Sequence, residues 1–520
     1  MRGMQDEVER AAARVRAALA REDWQDALSG VYVGWGPLMS YRPDVVERVA
    51  LAVPSGTLDA VPEWRVIRAY LRRVTMRPDL RPAVYSDGAP APEPGAAAST
   101  RAVLLTSRAS AARTAGRYHE AVAWAERAEA AAREDGQVSR TLHGLFASLL
   151  VEWAFAHEFA GQPSRAVALL REAFARAEES RNPRDMADAA GELAWLLALA
   201  GSREAGEWLA RRDALVAGGP AIPGLTISCH LARALRLWDA LDFDAADREL
   251  DRIDARDLGE HLLFFAAARL MIGSRLSRDQ GTALLSQFDT QISAIPEART
   301  ATGLNDELNR IVRADVLFIR GEAGAVLRLL AGYEAPAAPF VPARRAIAHV
   351  LAGEDDVAER LAAEVLADPR TWIRLRIEMQ AVQAITARRR GDLAAATERF
   401  GAAVGNAAEH GSFMALALVP RSELEELLRL AKAPEAPPWL GRLASGAIAL
   451  PPAGQRIVRL TRREERLIAA LSEDADEQSL AVALSVSRNT VRTQLHTLYR
   501  KFDVNSRGAL RSAARQQGLL

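Results

Sequence analysis

The feature that most limits the fold is a punctuation mark that recurs along the middle of the chain. Gly116-Arg-Tyr118-His-Glu-Ala121 sets a glycine, a large residue two positions later and a small one five positions later, and opens a stretch of helical apolar periodicity. The same order returns at Gly161…Ala166, Gly201…Gly206, Leu241-Asp-Phe243…Ala246, Gly281…Ser286, Gly321…Val326, Gly353…Ala358 and Gly391-Asp-Leu393…Ala396. Seven steps carry the chain from 116 to 391, about 39 residues each. That is room for two helices of about 12–18 residues and two turns, so stacked helical hairpins are expected. The glycine lets the chain reverse and the small residue lets helices approach. Ala, Leu and Arg dominate and aromatics make up only 6 %, which favours helix over strand.

These units resemble tetratricopeptide-type repeats, most closely at Gly116-Arg-Tyr118-His-Glu-Ala121-Val-Ala-Trp124 and next at Gly161…Ala166, with a period longer than the roughly 34 residues usual for that repeat. The resemblance implies an all-α, tetratricopeptide-like solenoid over 100–432 whose concave surface takes a peptide, protein or small ligand. Trp124, Trp153, Trp195 and Trp208 fall at helical spacing and are expected in its core. Residues 1–85 read as a helical N-terminal segment, with Asp23-Trp24-Gln-Asp-Ala27, Arg42-Pro43 and Val61-Pro62-Glu63 as its landmarks. Two Pro-rich stretches lack periodicity: a loop at 86–99 and a linker at 433–455, the latter containing APEAPPW and LPPAG.

Beyond that linker, residues 456–520 form a short C-terminal module. The chain has zero net charge, but from Arg456 onward twelve Arg or Lys face seven Asp or Glu, and from Val486 onward seven face one. A basic module (+5) on an acidic remainder (−5) suggests a polyanion-binding unit. Leu460-Thr-Arg-Arg-Glu464 has capping-box spacing, with Thr461 as N-cap and Glu464 or Glu465 near N3, before a helix burying Leu467, Ile468 and Leu471. Asp476 caps a second short helix with Leu480, Ala481 and Leu484 on one face. Ser485 and Val486 make a tight turn, and Ser487 caps a third helix with an apolar stripe of Val491, Leu495, Leu498 and Phe502. Its other face shows Asn489, Arg492, Thr493, His496 and Arg500. After Asp503–Asn505, Ser506 caps a last helix bearing Leu510, Ala513 and Ala514, which stops at Gly518. Two short helices around a tight turn, the second polar and basic outside, form a helix-turn-helix suited to the major groove of double-stranded DNA.

Leu460-Thr-Arg-Arg-Glu464, Val486-Ser487-Arg488-Asn489-Thr490-Val491-Arg492-Thr493, Leu495, Tyr499-Arg500-Lys501 and Val504-Asn-Ser506-Arg507 resemble the LuxR-type DNA-binding domain without gaps across the whole module. The resemblance implies that Arg492, Thr493 and His496 face base edges, that Ser487, Asn489, Thr490 and Lys501 lie near phosphates, with Arg488 and Arg500 on the same surface, and that the helix from Arg507 forms a homodimer contact on DNA. Three departures stand out. Asp474 replaces the usual glycine between the first two helices, and Gln478 replaces a lysine. The run Glu473-Asp474-Ala475-Asp476-Glu477 adds four negative charges near the expected DNA edge. His496, where relatives often carry a cation, is a type that changes charge near neutral pH.

Several chemistries lack their residues. The two lysines, Lys432 and Lys501, do not follow a glycine, so a G-x-x-x-x-G-K-[ST] phosphate loop is excluded, unlike the large ATP-binding LuxR-type regulators that the rest resembles. His157-Glu158 lacks a second histidine at zinc-protease spacing, and no catalytic constellation, cofactor site or metal site is legible. The single cysteine, Cys229, rules out an intrachain disulfide and reads as a small buried hydrophobe. The first twenty residues carry acids early and read as an amphipathic helix rather than a signal peptide, and apolar runs such as Leu193–Ala200 are too short for a membrane span, so a cytoplasmic protein is expected. The expected function is transcription regulation, with a protein or small-molecule effector in the repeats and RNA polymerase as a further partner. The competing reading is an interaction scaffold with a weak or silent DNA-binding domain, favoured by the acidic run and Gln478.

Overall fold

The computed structural model describes residues 2–59, 61, 64–68, 91–93, 95–134, 142–217, 227–333, 340–430, 438–444, 446–455, 457–471, 476–516 and 519–520. Among these the protein is all-helical, with no strand. Asp474 and most of the acidic run, the start of the Pro-rich loop, residues 433–437, Lys432 and the expected helix stop at Gly518 lie outside the described residues.

Helices pair along the middle of the chain: Ala98–Thr114 with Tyr118–Ala132, Phe146–Phe159 with Pro163–Glu179, Pro183–Leu199 with Glu204–Val216, and so on to Ile373–Arg389 with Leu393–His410. The first helix of each pair also packs on the first helix of the next. The turns explain the sequence punctuation. Gly116, Gly161, Gly201, Gly321, Gly353 and Gly391 all have φ between 75° and 88°, and Leu241 adopts φ 65° in the same role. The small partners Ala121, Ala166, Ala246, Ala358 and Ala396 are fully buried. One unit is out of register. Gly281 lies inside the Arg278–Ser293 helix rather than at a turn, and Ser286 is exposed. There the chain reverses between Gly273 and Ser277, and Gly281 serves close packing against Ser274 instead. In the third unit the buried small residue is Ala205, one position before Gly206. Trp153, Trp195 and Trp208 are buried as expected, whereas Trp124 is half-buried, with Arg108 and Arg127 guanidinium groups 5.1 and 4.6 Å from its ring. Cys229 is fully buried, and burial pushes its thiol up.

The later pairs fold back over the turns of the earlier ones. Tyr118 Oη donates to the Arg299 carbonyl at 3.0 Å, Gly303 packs against the Phe159 carbonyl, and Arg374 holds Asp239 with two bonds of 2.9 and 2.8 Å while its backbone N–H donates to Ala200 O at 3.0 Å. These buried contacts hold the halves together, so the ends of the early hairpins are covered.

Among the described residues three apolar cores follow one another. One lies in the N-terminal helices around Val31, Leu38, Val49 and Trp64, one runs through the paired helices, and one is in the C-terminal module. The stretch expected as a free linker behaves differently where it is described. Leu440, Leu443 and Ile448 are buried in the central core, Trp439 stacks on Phe413 at 4.3 Å, and Ala449 N–H donates to Arg275 O at 2.8 Å. Its proline content hid this, because prolines interrupt periodicity without preventing burial of the residues between them.

Candidate nucleic-acid interface

The C-terminal module is built from local caps. Thr461 and Glu464 form a reciprocal capping box: Thr461 N–H donates to Glu464 Oε2 at 2.7 Å, and Glu464 N–H donates to Thr461 Oγ1 at 3.4 Å. Asp476 accepts from the Ser479 N–H and hydroxyl at 2.7 Å each, and these bonds hold its carboxyl below the usual range. The chain reverses at Ser485, φ 55°, and Ser487 Oγ then accepts from Thr490 N–H at 3.1 Å to start the Arg488–Phe502 helix. Asp503, φ 56°, ends that helix, and Ser506 Oγ accepts from Ala509 N–H at 3.2 Å to start Arg507–Gln516.

Val491, Leu495, Leu498 and Phe502 are buried against Leu467, Ile468, Leu480, Ala481 and Leu510. That stripe fixes the rotation of the Arg488–Phe502 helix, so its opposite face must be in solvent. Ser487, Arg488, Asn489, Thr490, Arg492, Thr493, His496 and Arg500 are all exposed there. Within the face, Thr493 Oγ1 donates to Asn489 O at 3.0 Å, Ser487 and Thr490 hydroxyls are 2.8 Å apart, and His496 lies edge-on to Tyr499.

Three expected site residues have partners that sequence reasoning missed. Arg488 and Arg492 both donate to Glu477 Oε2, at 3.1 Å each, and the two guanidinium groups hold the Glu477 carboxyl below its usual range. Lys501 turns inward: its ammonium donates to Glu464 Oε2 at 2.8 Å and to the Arg459 carbonyl at 2.9 Å. Burial would raise the Glu464 carboxyl, but Lys501 and the Thr461 N–H keep it low. The acidic run had marked Glu477 as near this face. Its pairing with Arg492 spans the turn, and no local spacing rule reports such a contact.

Chemically, the face offers guanidinium, amide and hydroxyl groups on a rigid helix, with no carboxylate of its own. It can donate to phosphate oxygens and to acceptors on base edges once Glu477 yields the arginines. Among the described residues no group of His, Cys, Asp and Glu could hold a metal ion, and no helix is long and apolar enough to cross a membrane. No protein-family model matches the chain, and no curated protein matches it in sequence.

Proposed function

We propose that this chain is a LuxR-type DNA-binding transcription regulator, in which a tetratricopeptide-like helical array carries a C-terminal helix-turn-helix. The observation that carries the reading is the exposed face of the Arg488–Phe502 helix, with Arg488, Asn489, Arg492, Thr493, His496 and Arg500 opposite a fully buried stripe and entered through a left-handed turn at Ser485. A +6 balance from Val486 onward supports it, because phosphate neutralisation releases counterions. On this reading two copies bind double-stranded DNA in the cytoplasm through pairing of their Arg507–Gln516 helices, and an effector or RNA polymerase acts through the rest of the chain.

The test is a gel shift of the purified chain on its own upstream DNA, repeated across a salt series. Regulation requires a retarded complex whose affinity falls steeply with salt and which unrelated DNA competes for poorly. No complex even at low salt rejects it. One observation favours a second reading, a helical scaffold with a silent DNA-binding module: Glu477 already engages both Arg488 and Arg492. The same gel shift separates them, since a silent module leaves the DNA unshifted in wild type and in Glu477→Gln alike.

A further inference from the structure

A cavity of about 120 Å³ lies between the N-terminal helices and the inner faces of three consecutive first helices, Ala98–Thr114, Phe146–Phe159 and Pro183–Leu199. Its wall is apolar where Trp35, Ile67, Val103, Leu145 and Leu149 meet, and polar where Ser110, Ser148, Glu152, Asp185 and Asp188 meet. Two of the three carboxylates have partners. Glu152 accepts from Ser110 at 2.7 Å and from Arg113 at 3.1 Å, and Asp185 accepts from Ser148. Among the described residues Asp188, which also lines the cavity, has no hydrogen-bond or ion-pair partner. Arg184 is the one cation among the described lining residues, against three acids. Burial, and then the neighbouring Asp185, push the Asp188 carboxyl up to about 7. Arg184 and Arg212 lie near enough to oppose that rise, but neither bonds to the Asp188 carboxylate.

We propose that this cavity binds a small organic amine, its ammonium against Asp188 and Asp185 and its apolar body against Trp35, Ile67 and Leu149. The volume sets the size: a cavity of about 150 Å³ holds benzene, so this smaller one takes a short branched chain, about four to six non-hydrogen atoms in all. Apolar walls with a few convergent polar groups are the usual make-up of a ligand site. A neutral polyol would meet the hydroxyls but leave the carboxyl excess unbalanced, and an anion would be repelled by it. The site sits away from the Arg488–Phe502 helix in sequence and fold, and the inference does not depend on DNA binding.

The full chain is titrated by calorimetry and thermal shift with three small probes of matched branched shape: isobutylamine, isobutanol and isobutyrate. The amine is expected to bind one per chain and raise Tm, with the alcohol at least tenfold weaker and the acid undetected. Asp188→Asn removes the charge that the cavity leaves unpaired, so the variant should fold, and it is expected to bind the amine at least tenfold more weakly. The proposal is overturned if the alcohol or the acid binds as well as the amine, if no probe binds, or if Asp188→Asn binds the amine like wild type. Should Asp188→Asn fail to fold, the ranking of the three probes on wild type decides.

Discussion

Arg488 and Arg492 share one carboxylate, and the energetics of the proposed interface turn on it. To reach phosphate or guanine, both guanidinium groups must leave Glu477, so part of any DNA affinity is offset by breaking these bonds. Glu477→Gln is therefore expected to tighten binding to specific and random DNA, measured by fluorescence anisotropy at fixed salt; weaker binding would show that Glu477 positions the arginines instead. Arg492→Ala is expected to cost about 1–3 kcal/mol on a specific site and to relax preference at one base position. Equal, small effects on specific and random DNA would reject base readout by Arg492. A different residue-scale effect lies in the paired helices. Burial pushes the Glu158 carboxyl up to about 8, where its Oε1 accepts from Trp195 Nε1–H at 2.9 Å, and burial raises the neighbouring Glu192 as well. A folded-state value above the unfolded one means that the folded chain holds a proton which the unfolded chain has released. Stability is then greatest below the ordinary carboxyl value of 4.5 and declines as pH rises through about 8. Glu307, also raised to about 8, and Asp188, raised to about 7, act in the same direction. Tm from calorimetry should fall between about pH 5 and pH 8, and Glu158→Gln, which keeps the acceptor for Trp195, should flatten the fall. An unchanged slope in that variant would remove Glu158 from the account.

At the scale of elements, turns and caps were the legible part. Thr461, Asp476, Ser487 and Ser506 cap their helices through bonds that each span three residues, and such local chemistry is written directly in the sequence. The exposed face of the Arg488–Phe502 helix was legible too, because the buried stripe fixes it. Gly281 misled because spacing alone does not reveal φ, and 438–455 misled because composition does not report what Leu440, Leu443 and Trp439 touch. Contacts such as Arg374 with Asp239, or Tyr118 with Arg299, join residues more than a hundred positions apart and have no local signature. The glycines give a graded test. Gly353 and Gly391 have φ of 78° and 83° with open space where a Cβ would sit, so alanine there meets only the backbone cost of the left-handed region, about 1 kcal/mol. Gly303 also has positive φ, but its Cβ would fall 1.9 Å from the Phe159 carbonyl oxygen, so Gly303→Ala must move the two helices apart. Urea unfolding should rank Gly303→Ala well below Gly353→Ala. Equal losses would mean that the contact between these helices is loose.

For the whole molecule the question is how the helical body acts on the C-terminal module. The body ends at Gln455, whose backbone N–H donates to Leu351 O at 2.9 Å and whose side chain bonds Phe318 O at 3.0 Å and Ala323 N–H at 2.9 Å. Val458 already belongs to the module's own core. Only residues 456 and 457 separate the two anchors, and Arg459 adds an exposed bond to Glu354 at 2.7 Å. A loose Pro-rich tether would have let the module swing freely, whereas one of two residues fixes where it can go. Pairing of two Arg507–Gln516 helices on DNA then requires two whole bodies to fit side by side, or the Gln455 anchor to release. Both routes oppose binding by the intact chain. The acidic body and basic module attract each other, which adds to the restraint. The expected coupling is about 1–3 kcal/mol, or roughly 5–150-fold in affinity. Since the module has its own core and caps, the fragment 450–520 can be compared with the full chain on one DNA site by anisotropy, alongside a full chain carrying a flexible Gly/Ser insertion after Gln455. Both the fragment and the insertion variant should bind more tightly than the intact protein. If the fragment instead binds much more weakly and the insertion has no effect, the body serves as an assembly platform for the module rather than a restraint upon it.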